Sequence, residues 1–417
     1  MTDRLRQSLL VAAGAYLALL PTSALTAVRS IAFGVAALCA VLLVARFALG
    51  AGPRLPSPGR AVPITIAVWA AWATTSFAWS IHPGLTADEL RREVAWSLLT
   101  IVAFYIAAAD ADGYRRLVAV ALAAFTVAAL AALGLALTTG AWDPGAWHAG
   151  AGAYSTYVVL VAPLLLTVLA PPPTGFANGW QSRAAGLALL ALLLATARLT
   201  ENRMVWFALA VVYATASVLG AVRWRATLAR APLRWLGPLV ALMFVLGALF
   251  IDVARERAAL NFPPHTSVRQ TLERDPRLAL WDYSAARIAE RPLAGYGFGK
   301  SILETELREA LHDPLLSHAH NVFVSQWLQI GAVGLTAFVA MLAALAWRYI
   351  RFLRSPDDTL AFVGLIGISL LAGYAAKNLT DDFFIRSSAK EFWALSAMLL
   401  AFGGSLEDRR KAEPANT

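Results

Sequence analysis

The sequence predicts an all-α polytopic membrane protein with about twelve transmembrane helices and one long external loop. Of its 417 residues, 59% are hydrophobic and only 15% are charged. A water-soluble protein of this length needs more charge to cover its surface. The apolar residues also fall into many runs close to the ~20 residues that a helix needs to cross a bilayer. These features exclude a soluble globular fold.

Twelve apolar runs follow one another along the chain. We place the spans near residues 8–25, 29–48, 61–80, 94–110, 117–139, 153–170, 184–200, 204–221, 235–252, 321–346, 359–377 and 389–404. Nine spans therefore lie within residues 1–252 and three within 321–404. Residues 253–320 form the one long loop, and residues 405–417 form a tail.

The distribution of basic residues predicts how the chain is oriented. Short loops that carry Lys or Arg are retained in the cytoplasm, and with this span order most short basic loops fall on one side. Both termini and the tail are therefore expected in the cytoplasm, with the long loop outside. The net charge of +9 does not indicate nucleic acid, because the basic residues are dispersed among apolar runs. Membrane lipids with anionic head groups are the expected partners.

The long loop is predicted to contain amphipathic helices. Apolar residues recur with helical spacing around Trp281 and Ile288, and Pro292 with the glycines that follow it ends this helix. A second helix is expected from about Ser301 to Leu311. The loop is too short to enclose a large core, so we expect it to pack back onto the transmembrane bundle.

Arginines at the external ends of spans are candidates for binding phosphate. Arg198 and Arg203 flank a short turn between two spans, and Arg277 begins the loop helix. A guanidinium offers a planar fork of donors that matches phosphate oxygens. The alternative for the first two is snorkelling to the interface or pairing with Glu201. The alternative for Arg277 is a solvated helix residue.

Two histidines lie where the loop meets the next span. His318 and His320 precede the apolar run, and Asn321 follows them directly. A neutral imidazole accepts a proton from a hydroxyl near pH 7, so His320 is a candidate general base, with a structural hydrogen-bonded histidine as the alternative. Together with His312 and Asp313 these residues match no zinc-binding spacing, and no metal site is predicted.

The loop between the last two spans carries acidic and basic residues. Asp381 and Asp382 lie close in sequence to Lys377, Arg386 and Lys390. Local ion pairing is one interpretation. In the other, an aspartate orients His320 or a sugar hydroxyl of an acceptor.

Three motifs resemble those of the O-antigen ligase and polymerase superfamily. "HNVFVSQWLQIGAVG", at 320–334, has the pattern His-Asn, nine residues, Gly, two residues, Gly. "RLALWDYSAARIAERPLAGYGFGK", at 277–300, is similar to a stretch of the family's large periplasmic loop. "TENRMVWFAL", at 200–209, contains an arginine that opens a span. The family commonly has Ser before this arginine and a small residue after it, whereas Asn202 and Met204 flank it here, so Arg198 is the alternative position.

The resemblance implies a glycosyltransferase-C-like enzyme of the bacterial inner membrane with its active site at the periplasmic face. Such enzymes move a glycan from an undecaprenyl-diphosphate carrier without a metal or another cofactor. A ligase transfers it to lipid A-core, a polymerase to another carrier-linked chain, and an O-oligosaccharyltransferase to protein Ser or Thr. The compact length favours the ligase over the protein-modifying type. The ligase is also favoured over the polymerase, which shares these motifs and stays open as the alternative. An anion transporter, the remaining alternative, is disfavoured by the scarcity of ionisable residues at mid-span and the absence of a repeat.

The resemblance also implies roles for individual residues. His320 is the general base, Arg203 and Arg277 hold the diphosphate, and direct displacement inverts the anomeric carbon. Gly331 and Gly334 are expected to permit close approach of a neighbouring helix. The remaining candidates for substrate binding are Asn321, His318, Arg198, Asp381, Asp382 and Trp281.

Overall fold

The computed structural model of the protein describes residues 2–50, 55–140, 142–169, 180–225, 232–261, 276–314 and 316–412. Within these ranges the regular structure is helical and no strand occurs. The helices are α1 (Thr2–Leu19), α2 (Thr26–Ala48), α3 (Ala61–Thr75), α4 (Pro83–Glu89), α5 (Trp96–Ala107), α6 (Ala111–Thr139), α7 (Pro144–His148), α8 (Ala151–Val161), α9 (Leu166–Leu169), α10 (Trp180–Leu199), α11 (Arg203–Arg223), α12 (Pro232–Asn261), α13 (Pro276–Glu290), α14 (Glu304–Leu311), α15 (Val322–Leu353), α16 (Asp358–Asn378) and α17 (Arg386–Ala412).

The predicted class, an all-α polytopic membrane protein, is confirmed. In the described part of the chain, eight helical stretches are long and apolar enough to cross a membrane. The predicted number of about twelve is not reached, because the runs near 8–25, 94–110, 235–252 and 389–404 fall outside these eight. Helix α1 opens with three charged residues, and α5 is only 12 residues long because a π-helical turn precedes it.

Helix α16 is the most enclosed of the eight apolar stretches. In α16, 78% of the apolar window is buried, compared with 28% in α2. Helix α16 packs between α11 and α15, and α17 packs against α5. Gly373 makes one of these approaches possible, because a side chain there would collide with Val212 of α11. The external loop that joins α16 to α17 is therefore anchored at both ends in a buried core.

Helix α15 is broken near its start, and the external loop fills the break. Ile330 and Gly331 have non-helical backbone angles, with φ of 67° at Gly331. The carbonyl of Leu328 accepts from the N–H of Tyr296 at 2.9 Å, and the carbonyl of Gln329 accepts from that of Gly297 at 2.8 Å. The loop thus satisfies backbone carbonyls that the break leaves without a helical partner. This confirms that the loop packs onto the bundle.

The glycines of α15 serve a purpose that differs from the predicted one. A side chain at Gly331 would collide with the backbone of Leu293 in the external loop, and one at Gly334 would collide with Ile330 of the same helix. The prediction that they admit a neighbouring helix was wrong. They admit the loop and the bent turn of α15 itself, because the break brings those atoms closer than any other helix.

The predicted loop helices are present. Helix α13 covers the stretch with helical apolar spacing, and α14 covers most of the second predicted helix. Helix α12 continues to Asn261, beyond the predicted end of its span. The loop prediction at 262–275 lies outside the described residues.

Candidate active site

The site begins where α15 starts, at a residue that joins two loops. The Asn321 side-chain carbonyl accepts from the backbone N–H groups of Phe323 at 2.9 Å and Val324 at 3.2 Å, which caps the helix. Its amide nitrogen donates to the carbonyl of Leu379 at 2.8 Å. Asn321 therefore holds the start of α15 against the loop that carries Asp381.

His318, His320 and Asp381 meet at this junction. The Asp381 Oδ1 atom lies 3.4 Å from Nε2 of His318 and 3.3 Å from Nδ1 of His320. The two imidazole centroids are 4.0 Å apart. His320 has a positive φ of 49°, a backbone conformation that costs a non-glycine residue on the order of 1 kcal/mol. That turn directs both imidazoles, two residues apart in sequence, onto one carboxylate oxygen.

The two histidines differ in how many of their nitrogens are occupied. His318 also contacts the hydroxyl of Ser317 through Nδ1 at 2.9 Å, so both of its nitrogens have partners, and its side chain is 10% exposed. His320 contacts Asp381 through Nδ1, its side chain is 30% exposed, and its Nε2 has no hydrogen bond among the described residues. A neutral His320 that donates from Nδ1 keeps a lone pair on an accessible Nε2. His320 therefore fits a proton acceptor better than His318.

Burial and hydrogen bonding determine the charges of Asp381 and His318. Burial alone would raise the pKa of Asp381, but hydrogen bonds from His318 and His320, the charge of Lys377 and the N–H of Asp382 hold it well below its usual range. Burial lowers the pKa of His318, which its hydrogen bond to Asp381 partly opposes. At neutral pH the aspartate is therefore a carboxylate and His318 is neutral.

Two lysines lie close to this group, since the charge of Lys300 acts on His318 and that of Lys377 acts on Asp381. The ammonium groups of Lys377 and Lys300 lie 4.8 Å and 5.5 Å from the centroid of the Phe383 ring. Lys300 donates to the backbone carbonyl of Asp382 at 2.6 Å. Arg277, at the start of α13, is close enough to Lys377 to repel its charge. The candidate site thus contains two imidazoles, a carboxylate and nearby cationic side chains.

Arg203 lies at the same end of the bundle and opens α11. Its neighbour Asn202 caps that helix and donates to the hydroxyl of Ser155 in α8 at 3.1 Å. One turn earlier in α8, Gly152 lies directly against Phe383. The start of α11 thus contacts α8, and α8 in turn contacts Phe383 in the loop that carries Asp381.

The other predicted residues have different surroundings. Trp281 donates from Nε1 to the carbonyl of Ala319 at 3.0 Å, so it positions the histidine segment. Asp382 is 2% exposed, and its side chain accepts from the N–H of Phe384 at 3.4 Å. Arg198 pairs with Glu256 of α12 at 2.5 Å, which occupies its guanidinium with a carboxylate. The described carboxylate partners of Arg198 are therefore Glu256 and Asp252 of α12 rather than the predicted Glu201.

The potential metal ligands form a different set from the one considered in the sequence. Within the described residues, His318, His320 and Asp381 have ligand atoms within 4.8 Å of one another, whereas His312 and Asp313 do not join them. The nitrogen–oxygen separations of 3.3 and 3.4 Å are long for hydrogen bonds, and they also match the spacing of two ligand atoms around one tetrahedral metal ion. The three side chains therefore suit a small cation as well as two imidazoles that share one acceptor.

Sequence reasoning missed part of the site. Lys300 is the last residue of a quoted motif and Lys377 was noted only as an external cation, while Phe383 was not considered. The composition contains one indication of these lysines. The chain has only four lysines among its 35 basic residues, and two of the four, Lys300 and Lys377, lie near the candidate site.

The fold is that of a multi-pass helical membrane protein, with a candidate site of two histidines and an aspartate at one end of its bundle. A family model described as O-Antigen ligase matches residues 188–339, which include Arg203, Arg277 and His320. This match confirms the resemblance over 152 of the 417 residues. Asp381 and Lys377 lie outside the matched stretch. No curated protein sequence matches the chain.

Proposed function

We propose that the protein transfers O-antigen polysaccharide from undecaprenyl diphosphate to a sugar hydroxyl of lipid A-core. The observation that carries this proposal is the open Nε2 of His320, held by Asp381 beside cationic side chains. An acceptor hydroxyl needs a base, and a departing diphosphate needs positive charge. Both are provided within one site of a chain that matches a family model described as O-Antigen ligase.

The reaction is a single displacement. Nε2 of His320 takes the proton of the acceptor hydroxyl while its oxygen bonds to the anomeric carbon of the glycan. The bond from that carbon to the diphosphate oxygen breaks, and undecaprenyl diphosphate leaves with the electron pair. Because no side chain attacks the sugar, the configuration at the anomeric carbon inverts.

The charged groups take complementary parts in this step. Asp381 keeps the proton of His320 on Nδ1 and stabilises the imidazolium that forms. Arg203 and Arg277 hold the diphosphate oxygens, supplying the positive charge that a divalent ion provides in other transferases. A base of this kind contributes typically ~10²–10⁴-fold to the rate.

The membrane sets where the reaction occurs. Both substrates are lipids, so their reactive groups lie at head-group depth, where α15 begins. We place the site at the periplasmic face of the inner membrane, with both termini in the cytoplasm. Labelling single cysteines at 82 and 411 from either side of intact cells tests this orientation. Modification of position 411 from the periplasm would contradict it.

Reconstitution tests the activity. Purified protein is combined with carrier-linked glycan and lipid A-core in EDTA without nucleotide, and products are separated on gels. We expect glycan ladders on lipid A-core with the wild type and a loss of at least ~10²-fold with His320→Ala. His82→Ala, which removes an exposed imidazole outside the site, is the matched control.

Each outcome has a defined meaning. Ladders on the carrier instead of lipid A-core identify a polymerase. Retained transfer by His320→Ala refutes the assignment of the base. Activity abolished by EDTA and restored by a divalent ion refutes metal-independent transfer.

A further inference from the structure

We propose that His318, His320 and Asp381 bind one divalent transition-metal ion, with Zn²⁺ as the ion that suits them best, and that the bound ion stops transfer. The ligand atoms of these three side chains lie within 4.8 Å of one another. The inhibition rests on the proposed function, whereas the binding of the ion does not. The metal is thus a reversible inhibitor of a reaction that itself needs no metal.

The spacing of the three side chains matches that of the ligands around a tetrahedral metal ion. Asp381 Oδ1 lies 3.3 Å from Nδ1 of His320 and 3.4 Å from Nε2 of His318. Both separations exceed the length of about 2.9–3.0 Å that N–H···O hydrogen bonds most often have. Around a tetrahedral Zn²⁺ with bonds of about 2.0–2.2 Å, neighbouring ligand atoms are about 3.4 Å apart. One ion can therefore contact all three side chains with little movement.

The chemistry of the ligands selects the kind of ion. Two imidazoles and one carboxylate suit Zn²⁺ and similar transition metals, whereas Mg²⁺ and Ca²⁺ prefer oxygen ligands alone. The contacts of Asp381 with both imidazoles and with the N–H of Asp382 all use Oδ1, so Oδ2 has no hydrogen bond among the described residues. This second oxygen is therefore available to the ion as well. Three protein ligands leave a fourth tetrahedral position for water.

The residues around the histidines hold the ligands in position. Nδ1 of His318 lies 2.9 Å from the hydroxyl of Ser317, which leaves its Nε2 to face Asp381. A metal-binding histidine commonly donates its other N–H to a partner of this kind, and the contact fixes the ring. Trp281 donates to the carbonyl of Ala319, between the two histidines, at 3.0 Å. The segment that carries both imidazoles is therefore ordered before an ion binds.

Charged groups of both signs near the site limit its affinity. The carboxylate of Asp381 is a ligand, and the charge of Asp382 acts on His318 and also favours a cation. The charge of Lys300 acts on the same imidazole and that of Lys377 acts on Asp381, and both oppose a cation. We therefore expect the ion to bind reversibly rather than as a permanent structural metal, as an inhibitory site requires.

Binding of the ion removes the proton acceptor. A neutral imidazole has one nitrogen that carries a proton and one that offers a lone pair. In the proposed reaction His320 carries its proton on Nδ1 and accepts through Nε2. An ion on Nδ1 uses the lone pair of that nitrogen, so the proton moves to Nε2. The imidazole then has no lone pair left for the acceptor hydroxyl, and transfer stops for lack of a base.

A binding measurement tests this site without requiring transfer. The full chain, in nanodiscs of phosphatidylcholine freed of metal, is titrated with Zn²⁺ and, separately, with Mg²⁺ by calorimetry. We expect Zn²⁺ to bind and Mg²⁺ not to bind, and each of His318→Ala and Asp381→Asn to weaken the affinity for Zn²⁺ by about 10-fold or more. Asp381→Asn keeps the shape of its side chain, so the test stays decisive if His318→Ala does not fold. His82→Ala, which removes an exposed imidazole beside Glu306, should bind like the wild type.

A transfer measurement tests the inhibition. The reconstituted reaction is run in EDTA and at a series of free Zn²⁺ concentrations, and each variant is compared with its own rate in EDTA. Zn²⁺ should inhibit the wild type at the concentrations that saturate the site, and EDTA should restore the rate. Ser317→Ala removes the hydroxyl beside His318 but no ligand, and it should raise the Zn²⁺ concentration for half-inhibition by about 10-fold. His82→Ala should be inhibited like the wild type.

The outcomes separate this inference from the proposed function. No binding of Zn²⁺, or equal affinity in the wild type and both ligand variants, overturns the metal site and leaves the glycosyl transfer untouched. Zn²⁺ that binds through these residues but leaves transfer unchanged, or accelerates it, overturns the inhibition. Zn²⁺ binding through these residues in a protein that transfers no glycan in EDTA overturns the proposed function and leaves the metal site.

Discussion

Two buried polar clusters lie on either side of the loop between α16 and α17, and they differ in how their charges are paired. In the first, Lys390 contacts Glu93 at 2.8 Å and Arg386 contacts Glu89 at 2.6 Å. We call these four residues the paired cluster. In the second, His320, Asp381 and Lys377 leave one imidazole nitrogen and one ammonium without a partner among the described residues.

This difference in charge pairing distinguishes a cluster that stabilises the fold from a site that is proposed to take part in a reaction. The paired cluster matches each cation with a carboxylate and joins α4 and the π-helical turn before α5 to α17, so its charges stabilise each other. The candidate active site leaves groups without a hydrogen-bonding partner among the described residues, and in the proposed function a substrate supplies one. A buried charge by itself is weak evidence for function. A buried polar or charged group without a hydrogen-bonding partner is stronger evidence.

Breaking the paired cluster should produce the largest effect, which is a loss of thermal stability. Lys390→Met leaves Glu93 buried without its closest cation, which costs roughly 3–5 kcal/mol. We expect a large fall in thermal stability but normal transfer per folded molecule, measured by denaturation and activity on the same sample. Glu93→Leu combined with Lys390→Met should recover much of the stability. Wild-type stability of the Lys390→Met variant would contradict the structural role of the paired cluster.

Replacing Asp381, the acceptor that the two imidazoles share, should mainly lower the transfer activity. Asp381→Asn keeps the shape of the side chain but no longer offers a carboxylate to the imidazoles, so the tautomer of His320 is not fixed. We expect transfer to fall by about 10²-fold. Asp382→Asn is the matched control, because its remaining carbonyl still accepts from Phe384. Equal losses in the two variants would indicate a general structural effect.

The two arginines should respond differently to replacement by lysine. Arg277→Lys replaces the fork near the imidazoles with a point charge, and we expect about a 10-fold loss in kcat/KM for the carrier-linked glycan. Arg198→Lys keeps a cation beside Glu256 and should leave transfer nearly unchanged. Similar effects at both positions would place Arg198 in the site as well.

The pH dependence of stability should show the smallest effect. The folded-state pKa of Asp381 lies well below the value of about 3.9 in an unfolded chain, so its carboxylate stabilises the fold above that pH and loses this contribution as pH falls towards the folded pKa. Between pH 7 and 5 the stability difference between wild type and Asp381→Asn should not narrow, because the hydrogen bond to Asp381 also raises the pKa of His318. Below about pH 4 it should narrow, by on the order of 1 kcal/mol. A narrowing already between pH 7 and 5 would contradict the assigned charge state.

The sequence predicted the parts of the site that short motifs define. His320 and Asn321 stand in a spaced pattern, and Arg277 begins a recognisable amphipathic stretch. Asp381 was predicted with two alternatives, since ion pairing with neighbours in sequence was equally consistent with its position. Lys300 and Lys377 could not be grouped, because 77 positions separate them and their contact depends on where Phe383 lies.

The sequence by itself determined the membrane class, the loop helices and the histidine junction, because hydropathy, helical periodicity and motif spacing are local properties of the chain. Only the tertiary structure decided which cations remain unpaired and how the break in α15 receives the external loop. Those features depend on contacts between residues far apart in sequence. Burial also removes the water that would otherwise complete each polar group, so the packing determines which of them stay available for chemistry.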